Sequence, residues 1–288
     1  MTQLAPIRMV ISDIDGTLVR NDKTLSTANI DAVRRLSAAG IPVSLISARP
    51  PSGIMPIAQR LELPGPFGAF NGGTLFDRNG TFVTAHRIEA DLARQLYALF
   101  GEMCAMRWLF ADGEWLTNVV DQSHTPREIL AAAIVPIVTE DVGDRLDRAD
   151  KLVAVSDDDA MLTRIEVEAR RIVGNRATIA RSQSYYLDVT ALAANKGDGV
   201  AQIAKTCGVA LGQLAVFGDH DNDLPMFARA GLSVAMGQAS ARVKAAASAV
   251  AATNEADGVA DAIDRFVLPD IGRTEQNVDL PNATVQCR

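Results

Sequence analysis

The sequence predicts an α/β protein in which a parallel-sheet core is interrupted by a smaller inserted α/β domain. Three observations predict it. Strand-like apolar runs alternate with amphipathic helical stretches at both ends of the chain, that rhythm breaks between residues 83 and 187, and both Trp residues and all three Tyr fall inside the break. A chain of 288 residues has room for two domains, and its 48% hydrophobic and 22% charged composition is that of an ordinary globular protein.

Met9 to Ile11 reads as a buried strand. Ser26 to Ala39 carries Ile30, Val33 and Leu36 at helical spacing and stops at Gly40, and Pro42 to Ile46 is a second strand. Strand, helix, strand at this spacing is a βαβ unit, whose crossover makes the strands parallel and puts their carboxyl ends on one side. Gly68 to Asn71 continues the alternation as a third short strand, and Asp77-Arg78-Asn79-Gly80 turns a hairpin between Thr74–Phe76 and Thr81–Val83. The insert then shows a helix from Ile88 to Phe100, a hairpin turned by Asp112-Gly113, and a helix opened by a capping box at Thr125-Pro126-Arg127-Glu128. A strand from Leu152 to Val155, a helix from Asp158 to Val173 and two short strands ending near Tyr186 complete it. The core resumes with helix Gly197–Cys207, strand Leu214–Phe217, helix Leu224–Ala230, strand Leu232–Ala235, helix Ala241–Ser248 and helix Val259–Phe266. These elements divide the chain into a discontinuous core (1–82 and 188–270), an insert (83–187) and a tail (271–288) without a periodic apolar face.

The balance of 28 Lys+Arg against 35 Asp+Glu gives a net charge of −7, the wrong sign for a nucleic-acid surface. A phosphate ligand would need its own local positive charge from a metal ion, Lys or Arg. Cys104, Cys207 and Cys287 are odd in number and show no C-x-x-C spacing, which argues against a zinc ribbon and a disulfide framework and fits a reducing cytoplasm. Cys207 reads as a helical core position. The chain shows no signal-peptide core and no apolar run of membrane-spanning length, so no membrane partner is expected.

The chemistry collects at predicted strand ends. Asp13 and Asp15 stand two positions apart at the end of the first strand, where a parallel sheet opens to ligands. Asp219, Asp221 and Asp223 follow Gly218 at another strand end. Such a cluster repels itself unless a hard divalent cation sits among it, and Mg²⁺ is the natural occupant. Asn195-Lys196-Gly197 opens a helix with an ammonium able to neutralise phosphate or carboxylate, and Ser47-Ala48-Arg49 offers a hydroxyl and backbone N–H groups to phosphate oxygens.

The ordered set Asp13-x-Asp15-Gly-Thr-Leu, Ser47-Ala-Arg, Asn195-Lys196-Gly and Gly218-Asp219-x-x-Asn222-Asp223 resembles the haloacid dehalogenase superfamily. The insert, with Val234-Ala235-Met236-Gly237 and Glu255-Ala256-Asp257-Gly258-Val259, looks like the Cof-type, subfamily IIB phosphatases of that superfamily. The resemblance covers residues 8 to 268 and implies a Rossmann-like core with a C2-type cap that sets substrate specificity. It implies that Asp13 is the nucleophile that becomes an aspartyl-phosphate and that Asp15 is the general acid and then the base. Mg²⁺ would bind the Asp13 carboxylate, the Asp15 backbone carbonyl and Asp219, with Asp223 anchoring a metal-bound water or Lys196. Ser47, Ala48, Lys196, Asn222 and Ile14 are the implied phosphate-binding positions. Ser47-Ala48 departs from the Thr-Gly commonest in the family, and Ala48 would be strained if a positive φ were needed there.

The implied activity is a cytoplasmic, Mg²⁺-dependent phosphatase acting on a small phosphorylated metabolite, such as a sugar phosphate. A phosphomutase or a non-catalytic phosphoacceptor are the alternatives, and the oligomeric state stays open. Asn71-Gly72-Gly73 reads either as a substrate-contacting signature or as a turn, His220 as lining the site or as a solvated loop residue, and His86 as structural. In the insert, Arg107, Trp108, Trp115, His124, Arg181, Tyr185 and Tyr186 are candidates to face the leaving group. Strand alternation would forbid Tyr185 and Tyr186 from facing the same side. For the Trp pair, packing inside the insert is the competing reading.

Overall fold

The structure, a computed structural model, describes residues 6–103 and 105–268. By contact the chain divides into two units. Unit 1 holds residues up to Ala48, Ile54–Val83, and the chain from Asn195 onward; unit 2 holds Arg49–Gly53 and Thr84–Ala194.

The first part of the chain runs β1 (Met9–Ser12), α1 (Thr27–Ala38), β2 (Val43–Leu45), α2 (Pro51–Arg60), β3 (Phe67–Ala69), β4 (Thr74–Phe76) and β5 (Phe82–Ala85), with the first residues of α2 and the last of β5 counted in unit 2. Ser26 caps α1 by accepting from the Asn29 N–H, and Ile30, Val33 and Leu36 form its buried face, as the spacing predicts. The third strand differs from expectation: β3 meets the core sheet through a single bridge from Gly68 to Ile46 and pairs antiparallel with β4 in a separate sheet, β3-β4-β5. Helix α2 is absent from the sequence reading, because Pro51, Gly53 and Pro56 read as loop residues. Pro51 occupies the first turn, where its missing N–H costs nothing, and Ile54, Ala58 and Leu61 give the segment a buried face.

Unit 2 runs α3 (Ala90–Glu102), β6 (Met106–Ala111), β7 (Glu114–Thr117), α4 (Thr125–Ala132), β8 (Ile137–Val138), β9 (Ala149–Val155), α5 (Asp159–Val173), β10 (Ala177–Gln183) and β11 (Tyr186–Ala191). Its sheet has the order β10-β11-β9-β6-β7-β8. The register Leu109–Leu152–Val189 puts these residues on one face with Leu116 and Leu187, where they pack with Leu92, Leu96 and Phe100 of α3 and Leu162, Ile165 and Ala169 of α5. The alternate residues Trp108, Phe110, Trp115, Lys151, Asp188 and Thr190 form the second face, also buried.

Two expectations for the insert are corrected. The change of rhythm places its end at 187, but β11 runs on to Ala191, hydrogen-bonded to β9 and β10, so unit 2 ends at Ala194. The capping box at Thr125 is absent: Thr125 is the first helical residue, and the Asp121 carboxylate accepts from the backbone N–H groups of His124 and Thr125 and from the Thr125 hydroxyl. The cap position is therefore His124, one residue before the pattern places it, and a carboxylate four residues before Thr125 meets the donors there.

Unit 1 resumes with α6 (Lys196–Thr206), β12 (Leu214–Gly218), α7 (Leu224–Phe227), β13 (Leu232–Ala235), α8 (Ala241–Ala246), β14 (Ala249–Val250) and α9 (Gly258–Ala262), which continues as a π turn to Val267. The core sheet has the order β14-β13-β12-β1-β2, and every pair in it is parallel. All four residues of β1 and all five of β12 are buried, as strands covered on both faces must be. Cys207 is a core residue, as its helical position predicts, and Cys104 and Cys287 lie outside the described residues. The predicted tail 271–288 also lies outside them. Among the described residues no helix is long and apolar enough to cross a membrane.

Candidate active site

Three neighbouring strands of the core sheet, β12, β1 and β2, end side by side, and the residues just beyond them include Asp219, Asp13 and Ser47. Asp13 is fixed at the backbone by its N–H to the Phe217 carbonyl (2.9 Å), and the Ser47 N–H donates to the Gly68 carbonyl (2.9 Å). Lys196 enters from the first turn of α6, whose N-cap is Asn195 accepting from the Asp198 N–H (2.9 Å). Its fully buried ammonium donates to Asp13 Oδ1 at 2.5 Å and to Asp223 Oδ1 at 2.6 Å. The other oxygen of Asp223 accepts from the backbone N–H groups of Asp219 (2.8 Å) and His220 (2.9 Å). Thr17 donates its hydroxyl to Asp219 Oδ1 (3.1 Å).

Two glycines allow this crowding. Gly16 has φ +77, and a Cβ there would overlap the Asp219 carboxylate; one on Gly218 would overlap the Asp223 carboxylate.

Asp13, Asp219 and Asp223 each offer an oxygen within 4.8 Å of the others. Three carboxylates against one ammonium leave an excess of buried negative charge. Burial pushes Asp13 up to about 8; Lys196 opposes the rise, and Asp223 and Asp219 add to it. Burial also raises Asp219, with Asp223 adding and the Thr17 hydroxyl opposing. Burial works to lower Lys196, but Asp13 and Asp223 outweigh it and its pKa moves upward. A hard divalent cation on the Asp13 and Asp219 oxygens would remove the imbalance, and an all-oxygen donor set suits Mg²⁺. Asp223, with both oxygens engaged by Lys196 and backbone donors, is placed to hold Lys196 rather than to ligate directly.

Asp15 follows two residues after Asp13, and the Lys23 ammonium donates to its Oδ1 at 2.7 Å. Asn222 donates from Nδ2 to Asn71 Oδ1 (3.0 Å), and the Asn71 N–H donates to the Ser47 carbonyl (2.7 Å). Asn71 thus joins the Ser47 and Asn222 loops while also forming the left-handed turn, φ +59, expected of the alternative reading. Ala48 is not among the residues of positive φ, so the anticipated strain is absent. Ile14 is a core side chain whose carbonyl accepts from the N–H groups of Thr17, Leu18 and Val19. His220 is exposed on its loop.

The insert candidates separate. Arg107 pairs with Glu140 (2.6 Å) and lies over the Tyr97 ring of α3 (4.6 Å), so it is committed to the helix-covered side of the sheet. Trp115 is 1% exposed, stacked on Phe110 and edge-on to Trp108, which makes it a packing residue. Arg181 is tied to Asp159 and Glu166. His124 Nε2 donates to Asp157 Oδ1 (3.0 Å), with its ring 4.4 Å from Tyr185 and 6.0 Å from Tyr186. The alternation argument about the two tyrosines is overturned: Tyr185 lies in the β10–β11 turn, outside the strand, so both rings gather at His124, 4.6 Å apart. Gln122, Ser123, Arg127 and Asp157 join His124 and Tyr185 around a cleft of about 470 Å³ in unit 2. Sequence reasoning missed Thr17 and Lys23. Thr17 carried a usable signal in its hydroxyl one residue after Gly16, whereas nothing local marked Lys23.

The chain matches the haloacid dehalogenase-like hydrolase family over residues 10–263. It is 26% and 28% identical to two 5-amino-6-(5-phospho-D-ribitylamino)uracil phosphatases of Bacillus subtilis, over 91% and 88% of this chain and 96% and 94% of theirs. A crystal structure of a haloacid dehalogenase-like hydrolase from Bacteroides thetaiotaomicron superposes with a TM-score of 0.84 at 27% identity, covering 90% of this chain and 99% of that one.

Proposed function

The chain belongs to the haloacid dehalogenase-like hydrolases, and from that premise we propose that it is a Mg²⁺-dependent phosphatase that hydrolyses a small phosphomonoester, a sugar or related metabolite phosphate, through an aspartyl-phosphate on Asp13. The observation that carries this reading is the buried Lys196 ammonium bridging Asp13 and Asp223 at the ends of adjacent parallel strands. It holds the Asp13 carboxylate in one orientation and supplies the positive charge that an acidic chain otherwise denies to a phosphate.

In the first step an Asp13 oxygen bonds to phosphorus as the bond from phosphorus to the substrate's ester oxygen breaks, and the Asp15 carboxylic acid gives that oxygen its proton. In the second, Asp15 as carboxylate takes a proton from water, whose oxygen attacks phosphorus and releases Asp13 and inorganic phosphate. Lys196, the Ser47 hydroxyl and Asn222 hold the transferring group, and Asp223 keeps Lys196 in place. Asp13, Asp219 and the Asp15 carbonyl would hold Mg²⁺, which when bound would supply charge neutralisation to the transferring group. The uracil derivative named for the Bacillus subtilis relatives bears its phosphate on a ribityl chain, which supports a small polyol or sugar phosphate as the substrate class.

The test is release of inorganic phosphate from p-nitrophenyl phosphate with and without Mg²⁺. Asp13→Asn protein is expected to be inactive, and wild-type protein quenched during turnover to carry label from radioactive substrate on Asp13. Metal-independent release or an active Asp13→Asn variant would overturn the reading.

A further inference from the structure

Glu255-Ala256-Asp257-Gly258 takes no part in the proposed chemistry, yet it touches the segment that leads away from Asp15. The Asp257 carboxylate pairs with Arg20 (3.1 Å), and Glu255 Oε1 accepts from the Asn21 N–H (2.7 Å). Asn254, a fully buried amide, donates to the Val19 carbonyl and to Asn21 Oδ1 (both 3.1 Å). From the other side the buried Asn29 amide donates to the Leu18 carbonyl (2.9 Å). Every residue from Leu18 to Asn21 is therefore held from outside the segment. The chain then makes a tight turn: the Arg20 N–H donates to the Thr24 carbonyl, the Lys23 N–H donates to the Arg20 carbonyl (2.9 Å each), and Asp22 accepts from the Thr24 N–H (2.9 Å) and hydroxyl (2.6 Å). Lys23 sits at φ +69, a left-handed conformation that costs a non-glycine residue free energy. In that conformation its ammonium reaches Asp15 Oδ1 at 2.7 Å.

We propose that Lys23 is a positioning residue for Asp15, and that the Asn254–Gly258 segment acts through Arg20 and Asn21 to hold the turn that presents it. The inference rests on the proposed role of Asp15 as general acid. An ion pair this exposed adds little stability, so anchoring it with two buried amides and two further carboxylates is better matched to orienting one carboxylate. With Oδ1 held by Lys23, rotation of the Asp15 carboxyl is restrained relative to the turn. A carboxylate free to rotate would lose part of the 10²- to 10⁴-fold that a well-placed acid contributes.

The experiment compares kcat/KM for p-nitrophenyl phosphate, whose phenolate departs with little need of a proton, and for glycerol phosphate, whose alkoxide needs one. The full-length protein with Mg²⁺ is used throughout, and thermal melts confirm folding. Lys23→Met is expected to lose about 10-fold more on glycerol phosphate than on p-nitrophenyl phosphate. Lys23→Arg should restore most of the difference, and Asp257→Asn should show a smaller loss of the same kind. If Asp15→Asn discriminates between the substrates while Lys23→Met lowers both equally, the positioning role is wrong and the acid assignment stands. If Asp15→Asn also lowers both equally, Asp15 is not the acid and the inference falls with it.

Discussion

At the strand ends of unit 1 a fully buried ammonium touches two carboxylates, whereas on the second sheet face of unit 2 the fully buried indole N–H groups of Trp108 and Trp115 touch no acceptor among the described residues. In unit 1 the costly groups are charged, mutually paired and carried by motifs a few residues long, each pinned by backbone hydrogen bonds at a strand or helix end. In unit 2 the indoles sit within an aromatic layer whose contacts come from pleat and register, and the buried Lys151–Asp188 pair (3.1 Å) on that face lies beside the Phe110 ring. Unit 1 is organised to hold charge in place, and unit 2 to fill space with rings. The charged groups of the first are therefore expected to be individually indispensable, and the indole N–H groups of the second to be individually replaceable.

The sharpest way to break that contrast is Lys196→Met. Removing the cation leaves the buried Asp13 and Asp223 carboxylates uncompensated beside the half-buried Asp219, a change expected to cost about 3–5 kcal/mol in stability and to lower phosphate release by about 10²- to 10³-fold. Added Mg²⁺ should return part of the stability but not the activity, because the cation relieves repulsion without orienting Asp13. Urea melts with and without Mg²⁺ beside phosphate-release rates check both halves. A variant with wild-type stability would show that Asp13 and Asp223 are not charged against Lys196.

In unit 2 the contrast is sharpened by Trp115. Trp115→Ala deletes a fully buried ring and should cost about 3–5 kcal/mol. Trp115→Phe keeps the stack on Phe110 and discards the unpartnered N–H, so it should cost less than about 1 kcal/mol. Urea melts of the two variants measure the difference. A large cost for the Phe variant would mean that the indole N–H has a partner, such as an ordered water, and that unit 2 also depends on specific polar contacts.

The same contrast explains what the sequence could and could not reveal. Asp13, Asp219, Asp223 and Lys196 stood out because each follows an apolar strand or opens a helix, so spacing alone puts them at one edge of a parallel sheet. Lys23 did not, because its contact with Asp15 needs a left-handed turn and an anchor more than two hundred residues away in sequence. Helix α2 was hidden by two prolines and a glycine. In unit 2, Arg107 and Trp115 were polar or amphipathic candidates, with packing already the competing reading for the tryptophan, and the sheet register turns one toward α3 and the other into an aromatic layer. Tyr185 escaped the alternation rule by lying in the turn rather than the strand.

The smallest expected effect concerns a carboxylate of unit 2 that behaves like those of unit 1. Asp150 is 2% exposed, accepts from the Asp112 N–H (3.1 Å) and has Arg87 at 3.5 Å from its other oxygen. Burial pushes it up to about 6, against the pull of Arg87. A carboxyl group whose pKa is higher in the folded than in the unfolded chain favours folding most when both states are protonated, below about 4. That contribution is lost as pH rises through 6, with an upper limit of about 3 kcal/mol at neutrality. Asp150→Asn preserves an acceptor for the Asp112 N–H and removes the titration, although it also weakens the pair with Arg87. The variant should therefore be more stable than wild type by about 1 kcal/mol at pH 7, and the advantage should vanish as pH falls from 6 to 4. Urea midpoints across that range test it. A variant less stable than wild type at pH 7 would show that Arg87 compensates Asp150 fully, making it an ion pair of the unit 1 kind within unit 2.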